Sequence, residues 1–284
     1  MRSRWLLNSI LAIVIAALAA IVYFRPGGEE TSVDPSLTTL AADTVGEIHI
    51  VRTGREPITL QKKDTVWRMT TPIAARANQF NIDSLLRVLS TTSTFRIDAT
   101  ETQLANYGLD KPSVQLRLND EEIVVGAAHP SKPQHYVLHR GVVHLIPSYS
   151  LGTAFLGYAA LIDTQLLIEG QRLAELRIPG IHLVHKNGSW QREPIDEKIS
   201  VDRLNELVAE WQNARALSVE RLSSRPTLDQ VQIVFDGDGK NETLTVDVLA
   251  YKPQFVLARR DEGLEYHFPE EIAKRLLTLE PKNE

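Results

Sequence analysis

Trp67-Arg68-Met69-Thr70-Thr71-Pro72, followed shortly by Asn81-Ile82-Asp83-Ser84-Leu85-Leu86, has a second occurrence in the chain. Trp190-Gln191-Arg192-Glu193-Pro194 leads in the same way to Ser200-Val201-Asp202-Arg203-Leu204-Asn205-Glu206-Leu207. Each copy reads as a strand that ends at a proline, a short loop, and a capped amphipathic helix. The rest of the chain falls into order around the two copies, which is the signature of a tandem duplication.

Outward from the first copy, Ile48 and Ile50 alternate with polar neighbours, the period of a half-buried strand. Thr53 to Glu56 is a turn, Ile58 to Lys62 a second strand and Val66 to Met69 a third, closed by Pro72, which cannot donate to a ladder. Ile82, Leu85, Leu86 and Leu89 fall on one helical face, with Asn81 as N-cap. Phe95 and Ile97 resume a strand. In Tyr107-Gly108-Leu109-Asp110-Lys111-Pro112, Gly108 suits a positive-φ turn and Pro112 bars further helix. Strands are predicted at Val114 to Leu118 and Ile123 to Val125. His135 to His139 and Val142 to Ile146 make a hairpin about Arg140-Gly141, and Ser148 to Leu156 a closing helix.

The second copy repeats this order. Leu176 and Ile178 match Ile48 and Ile50, and Asn187-Gly188 turns a hairpin into Trp190. Leu204, Leu207, Val208 and Trp211 form the helix face. Val231 to Phe235 matches the strand at Val114, Phe255 to Leu257 matches Tyr136 to Leu138, and Ile272 to Leu279 is a final helix. The fold class is therefore α+β: an N-terminal transmembrane helix followed by two repeated units, each a mostly antiparallel sheet with packed helices.

Residues 5–24, Trp5 through Phe24, are apolar except for Asn8 and Ser9, long enough to cross about 30 Å of hydrocarbon. Arg2 and Arg4 precede the run, so the N-terminus is expected in the cytoplasm and the bulk outside. A signal peptide cut after Ala17-Leu18-Ala19 is the competing reading, but the apolar run continues past it through Phe24. The expected divisions are 1–25, cytoplasmic tip and anchor; 26–44, a Gly-, Pro-, Ser- and Thr-containing linker; 45–165, the first unit; and 166–284, the second. The net charge of −5, with Lys and Arg scattered, gives no reason to expect nucleic-acid binding. The absence of cysteine removes disulfides, thiolate metal sites and thiol catalysis.

The Trp-to-Pro strand end, the Tyr107 to Pro112 segment and the hairpin Tyr136-Val137-Leu138 with Val143-His144-Leu145-Ile146-Pro147 together resemble the family called domain of unknown function 4340. The likeness runs from about Val45 to the end and is weaker in the second unit, which lacks the Tyr-Gly-Leu-Asp segment. It implies a bacterial envelope protein: single-pass in the inner membrane, N-terminus cytoplasmic and bulk periplasmic. It also implies association with ABC-type transport systems of the gliding-motility kind. It transfers no catalytic residue. Asn78-Gln79-Phe80-Asn81 stands where the family has a short Ala-Asp element.

No nucleophile elbow, His-Glu-x-x-His or phosphate-binding loop is present, so no catalytic residue and no cofactor is expected. Trp67 and Trp190 read as core rather than as a ligand-stacking pair. Asp236 to Asn241 only faintly suggests a calcium loop and reads as a hairpin turn. The metal candidates are His135, His139 and His144. With Arg140-Gly141 as a two-residue turn, the three share one face of the hairpin, read as the outer face, opposite Tyr136, Leu138, Val143 and Leu145 as core. They make either a solvated histidine face or a zinc or copper site. The metal reading requires imidazole nitrogens converging to roughly 3–4 Å. Gln254 and Ala258 replace His135 and His139 in the second unit, which lends it no support. The leading functional expectation is a non-enzymatic, membrane-anchored auxiliary or scaffold module of an ABC-type permease and ATPase complex. The alternative is an envelope glycan- or lipid-binding protein with a groove between the units, and a hydrolase lacks a motif.

Overall fold

The computed structural model describes residues 12–17, 19–20, 36–98, 101–237 and 242–280. The chain divides into two compact units, Met1–Ser36 and Leu37–Glu284. In the first, residues 12–17 and 19–20 are helical, and most of the expected membrane span lies outside the described residues. No helix among the described residues is long and apolar enough to cross a membrane.

The second unit is built on two antiparallel sheets. The first contains β1 (Glu47–Arg52), β2 (Ile58–Lys63), β3 (Val66–Thr71), β4 (Ala75–Arg76), β5 (Arg96–Asp98), β6 (Val114–Leu118), β7 (Glu121–Ala128), β8 (Gln134–His139) and β9 (Val142–Pro147). Their order across the sheet is β4-β3-β2-β1-β6-β7-β8-β9-β5. Helix α1 (Gln79–Leu86) lies between β4 and β5 in the chain, so β5 returns to pair at the far edge with β9. The second sheet contains β10 (Leu173–Ile178), β11 (Ile181–Lys186), β12 (Ser189–Glu193), β13 (Ser218–Arg221), β14 (Asp229–Phe235), β15 (Glu242–Ala250), β16 (Gln254–Arg259) and β17 (Leu264–Pro269). Its order is β12-β11-β10-β14-β15-β16-β17-β13. Helix α2 (Val201–Gln212) precedes β13, and α3 (Glu270–Leu277) follows β17.

Alternation sets the register. Ile48 faces Leu60 on one side and Leu118 on the other, and Leu176 faces Leu183 and Ile233. All six are fully buried, so a one-residue slip would expose every one of them. Trp67 and Trp190 each stand one position past the first pair of their hairpin, and both are buried in the core. Ile82, Leu85 and Leu86 of α1 pack into the same apolar cluster as Leu204, Leu207, Val208 and Trp211 of α2. Trp211 Nε1 donates to the Leu276 carbonyl at 2.8 Å, which ties α2 to α3.

Three local expectations need correction. Asn78, not Asn81, caps α1: its side-chain oxygen accepts from the Asn81 amide at 3.1 Å. The Asn81 side chain instead donates to the Ala160 carbonyl at 2.6 Å. The closing segment Ser148–Phe155 is a 3-10 helix, in keeping with a Ser-, Gly- and Thr-rich sequence of modest helix propensity. Within the expected linker 26–44, Leu37 is buried, and its amide donates to the Thr91 carbonyl at 2.7 Å, so the fold begins before Thr44.

Candidate functional site

The histidine hairpin has the expected register: His139 faces Val142, Val137 faces His144 and His135 faces Ile146. Val143 and Leu145 are buried as expected, but the histidine face is not an outer, solvated one. Val137 and Ile146 share the histidine face and belong to the main core, so His139 and His144 are buried, each 5% exposed. The opposite face is covered too. Val143 and Leu145 are buried, and the Tyr107 ring stands 4.9 Å from that of Tyr136.

Each histidine has a local environment of its own. His139 Nδ1 lies 3.0 Å from the Glu122 carbonyl, which can only accept, so Nδ1 carries the proton. Its Nε2 then faces Glu121, which also holds Arg140. His135 Nδ1 meets Ser148 Oγ at 2.9 Å beside Phe155, and burial lowers its pKa. His144 is pushed down to about 4, by burial first and then by Arg96 and His139. Its Nδ1 is buried without a hydrogen-bond partner. Among the described residues, the set whose ligand atoms all lie within 4.8 Å of one another is Glu220, Glu265 and His267, not the three histidines.

The Tyr107 to Pro112 segment is a backbone clasp over β7. Gly108 has φ +64°, and a Cβ there would meet the backbone nitrogen of Ala127 at 3.0 Å. A Cβ on Gly126 would overlap the Tyr107 carbonyl. Leu109 is buried beneath, and Ser113 N donates to the Val125 carbonyl at 2.9 Å. The glycines allow a close approach of two backbones that any side chain would block. Gly126, inside a strand, was the overlooked signal.

Between the sheets lies a buried ionic junction, which no local spacing announces. Arg76 of β4 reaches Asp163 at 3.3 Å and Glu262 at 3.6 Å, and donates to the Gln165 carbonyl. Arg259 binds Glu262 at 3.3 Å and Asp261 at 2.7 Å, and donates to the Leu166 carbonyl at 2.9 Å. The Tyr266 hydroxyl donates to Glu262 at 2.7 Å, and burial, with Glu262 beside it, raises its pKa. Buried charges persist when paired with counter-charges, although Arg76 Nε meets Glu262 only as an ion pair and has no hydrogen bond of its own. A cleft of about 400 Å³ opens alongside, lined among others by Gln165, Gln171, Arg172, Gln212 and Arg215.

The outer side of the second sheet carries a further polar group. Leu249, Val256 and Ala258 form a small cluster there with Leu222. Asp247 accepts from Thr227 and Gln230, each at 3.0 Å, and from Arg260. Burial pushes the Asp247 carboxyl up, but these three partners hold it below the usual carboxylate range. On the same face, Glu265 accepts from Ser223 Oγ at 2.9 Å and faces His267 Nε2 at 3.2 Å. The loop that follows β13 is thus pinned over the sheet by two buried carboxylates.

The architecture is that of a two-sheet antiparallel β protein with a few packed helices. The family model for Domain of unknown function (DUF4340) matches residues 67–233, more than half of the chain, from the first core tryptophan into the second sheet. The protein belongs to the DUF4340 family. Comparison with curated proteins and with solved structures finds no match.

Proposed function

We propose that the protein is a membrane-anchored, extracytoplasmic, non-enzymatic module that serves an ABC-type transport complex as an auxiliary or scaffold component. Residues 1–25 would supply the cytoplasmic tip and anchor, residues 26–44 the link, and residues 45–165 and 166–284 two copies of one sheet-forming unit. Apart from the extra edge strand β4, the nine-stranded and eight-stranded sheets share one strand order, each with its helix before the returning edge strand, which supports the duplication. The observation that carries the functional reading is the joining of two elements. One is an apolar stretch of bilayer length behind Arg2 and Arg4. The other is a large body whose halves are locked by the Arg76, Asp163, Glu262 and Arg259 junction. Such a body presents broad, fixed surfaces near a membrane. Ala12, Ala16 and Ala20 recur every four residues, and this small-residue spacing suits close packing on another helix. The link to a transport complex comes from the family resemblance.

The test is purification from mild detergent, with in-cell crosslinking from the first sheet. Co-purification of an ABC-type permease supports the proposal. Isolation as a lone monomer under several gentle conditions counts against it, and a C-terminal reporter active only in the cytoplasm overturns the topology. The second reading, an envelope ligand-binding protein, draws on the polar cleft at Gln165 and Arg172, which suits a glycan better than a lipid. Saturable glycan binding that Arg172→Ala abolishes would favour it over the scaffold.

A further inference from the structure

We infer that Glu220, Glu265 and His267 form a divalent transition-metal site of the zinc class on the outer face of the second sheet. The inference goes beyond the scaffold reading and does not rest on it.

The argument begins with strand register. β13 pairs with β17, which sets Glu220 directly opposite Glu265 and Ser218 opposite His267. Two carboxylates facing each other across an antiparallel pair repel. The repulsion is sharpened here because the Glu265 side chain is only 3% exposed. A buried carboxylate needs a cation or a full set of donors. Ser223 supplies donors to Oε2 alone, from its hydroxyl at 2.9 Å and its amide at 3.4 Å. Oε1 is turned toward His267.

The imidazole does not resolve the conflict in its neutral form. His267 Nδ1 lies 3.1 Å from Gln254 Oε1, a carbonyl oxygen that can only accept, so Nδ1 donates. Nε2 therefore presents a lone pair. It points at Glu265 Oε1, 3.2 Å away, and at Glu220 Oε2, 3.9 Å away. Three electron-pair donors converge on one point with no donor among them. A cation belongs at that point.

The geometry and the supports suit a metal. Ligands held at about 2.0–2.2 Å from one ion stand roughly 3–4 Å apart; His267 Nε2 has that spacing to both carboxylates, and all three ligand atoms lie within 4.8 Å of one another. A metal-bound imidazole donates its other ring N–H to an acceptor, and a bound carboxylate is itself hydrogen-bonded. Gln254 and Ser223 fill those two roles. One imidazole with two carboxylate oxygens suits zinc and its first-row neighbours. Glu220 is 58% exposed, so the coordination sphere is open on that side to water. The ion would clamp the four-residue strand β13 at the sheet edge onto β17.

The test uses the full chain in mild detergent, stripped with a chelator and titrated with zinc chloride by calorimetry and thermal melting. The expected result is one zinc per chain and a raised Tm that chelator reverses. X-ray absorption should show one nitrogen and at least two oxygen ligands near 2.0–2.1 Å. Glu220→Gln sits on the exposed side, disturbs no core packing, and should weaken binding at least tenfold. Ser223→Ala, which loosens Glu265, should weaken it by about 10–100-fold. Zinc affinity unchanged in Glu220→Gln and His267→Gln overturns the site, as does the absence of saturable binding at millimolar zinc.

Discussion

Acidification should reach this fold first through His144. The ring is 5% exposed on the core side of the β8–β9 hairpin, beside Val137 and Ile146. Burial, then Arg96 and His139, bring its pKa from 6.5 down to about 4. In the unfolded chain the same ring takes up its proton near pH 6.5. Between those values the unfolded state binds a proton that the folded state refuses. Stability from this group is therefore fully present above about pH 6.5, falls as the pH drops, and is flat below about pH 4. At about 1.4 kcal/mol per pH unit over that interval, the loss is about 3 kcal/mol, a large part of the stability of an ordinary domain. His135 shifts in the same direction, so the wild-type profile alone does not isolate the effect. Subtraction does. In His144→Leu the site cannot titrate. Urea denaturation followed by tryptophan fluorescence, at about pH 7 and about pH 4, should show the wild type losing about 3 kcal/mol more than the variant. Parallel profiles, or an NMR titration of His144 centred near pH 6.5, would refute the reasoning.

Removing the Arg76 side chain with Arg76→Ala should destabilise by about 3–5 kcal/mol in the same assay, because Asp163 and Glu262 keep their charge and lose a partner. Gly126→Ala should push the Tyr107 carbonyl off β7, destabilise by about 1–3 kcal/mol and speed amide exchange along residues 107–113. Trp211→Phe leaves the buried Leu276 carbonyl without its donor and should lower stability by about 1–3 kcal/mol, with α3 losing exchange protection first.

Where a signal was local, the sequence carried it. Alternation placed Ile48, Ile50, Leu116 and Leu118, and Arg140-Gly141 set the hairpin register to the residue. The helix face of α2 was legible from its spacing, since Leu204, Leu207, Val208 and Trp211 are all buried. The burial of the histidine face has a physical reason. A strand pair covered on both faces has no polar side, so the larger apolar residues, Tyr136 and Leu138, gave the wrong vote against Val137 and Ile146. The expected cap, Asn81, lies three residues past the true one, Asn78, and its side chain is taken up by the distant Ala160 carbonyl. Glu265 and His267, two apart on an apolar strand, were a visible oddity. The approach of Glu220 depends on the long-range pairing of β13, which no window of sequence contains.

The Arg76 junction has a consequence for the order in which the chain is made. The first sheet is complete once β9 has emerged, for every one of its strands lies between Glu47 and Pro147. Arg76 is positioned by that sheet, yet the acids that neutralise it come later, Asp163 soon after and Glu262 only in the turn before β17. A nascent first half thus holds Arg76 against Asp163 alone, on the surface that will be buried. The polar pair keeps that surface wetted during synthesis, and docking waits for the last strands to supply Glu262 together with Arg259.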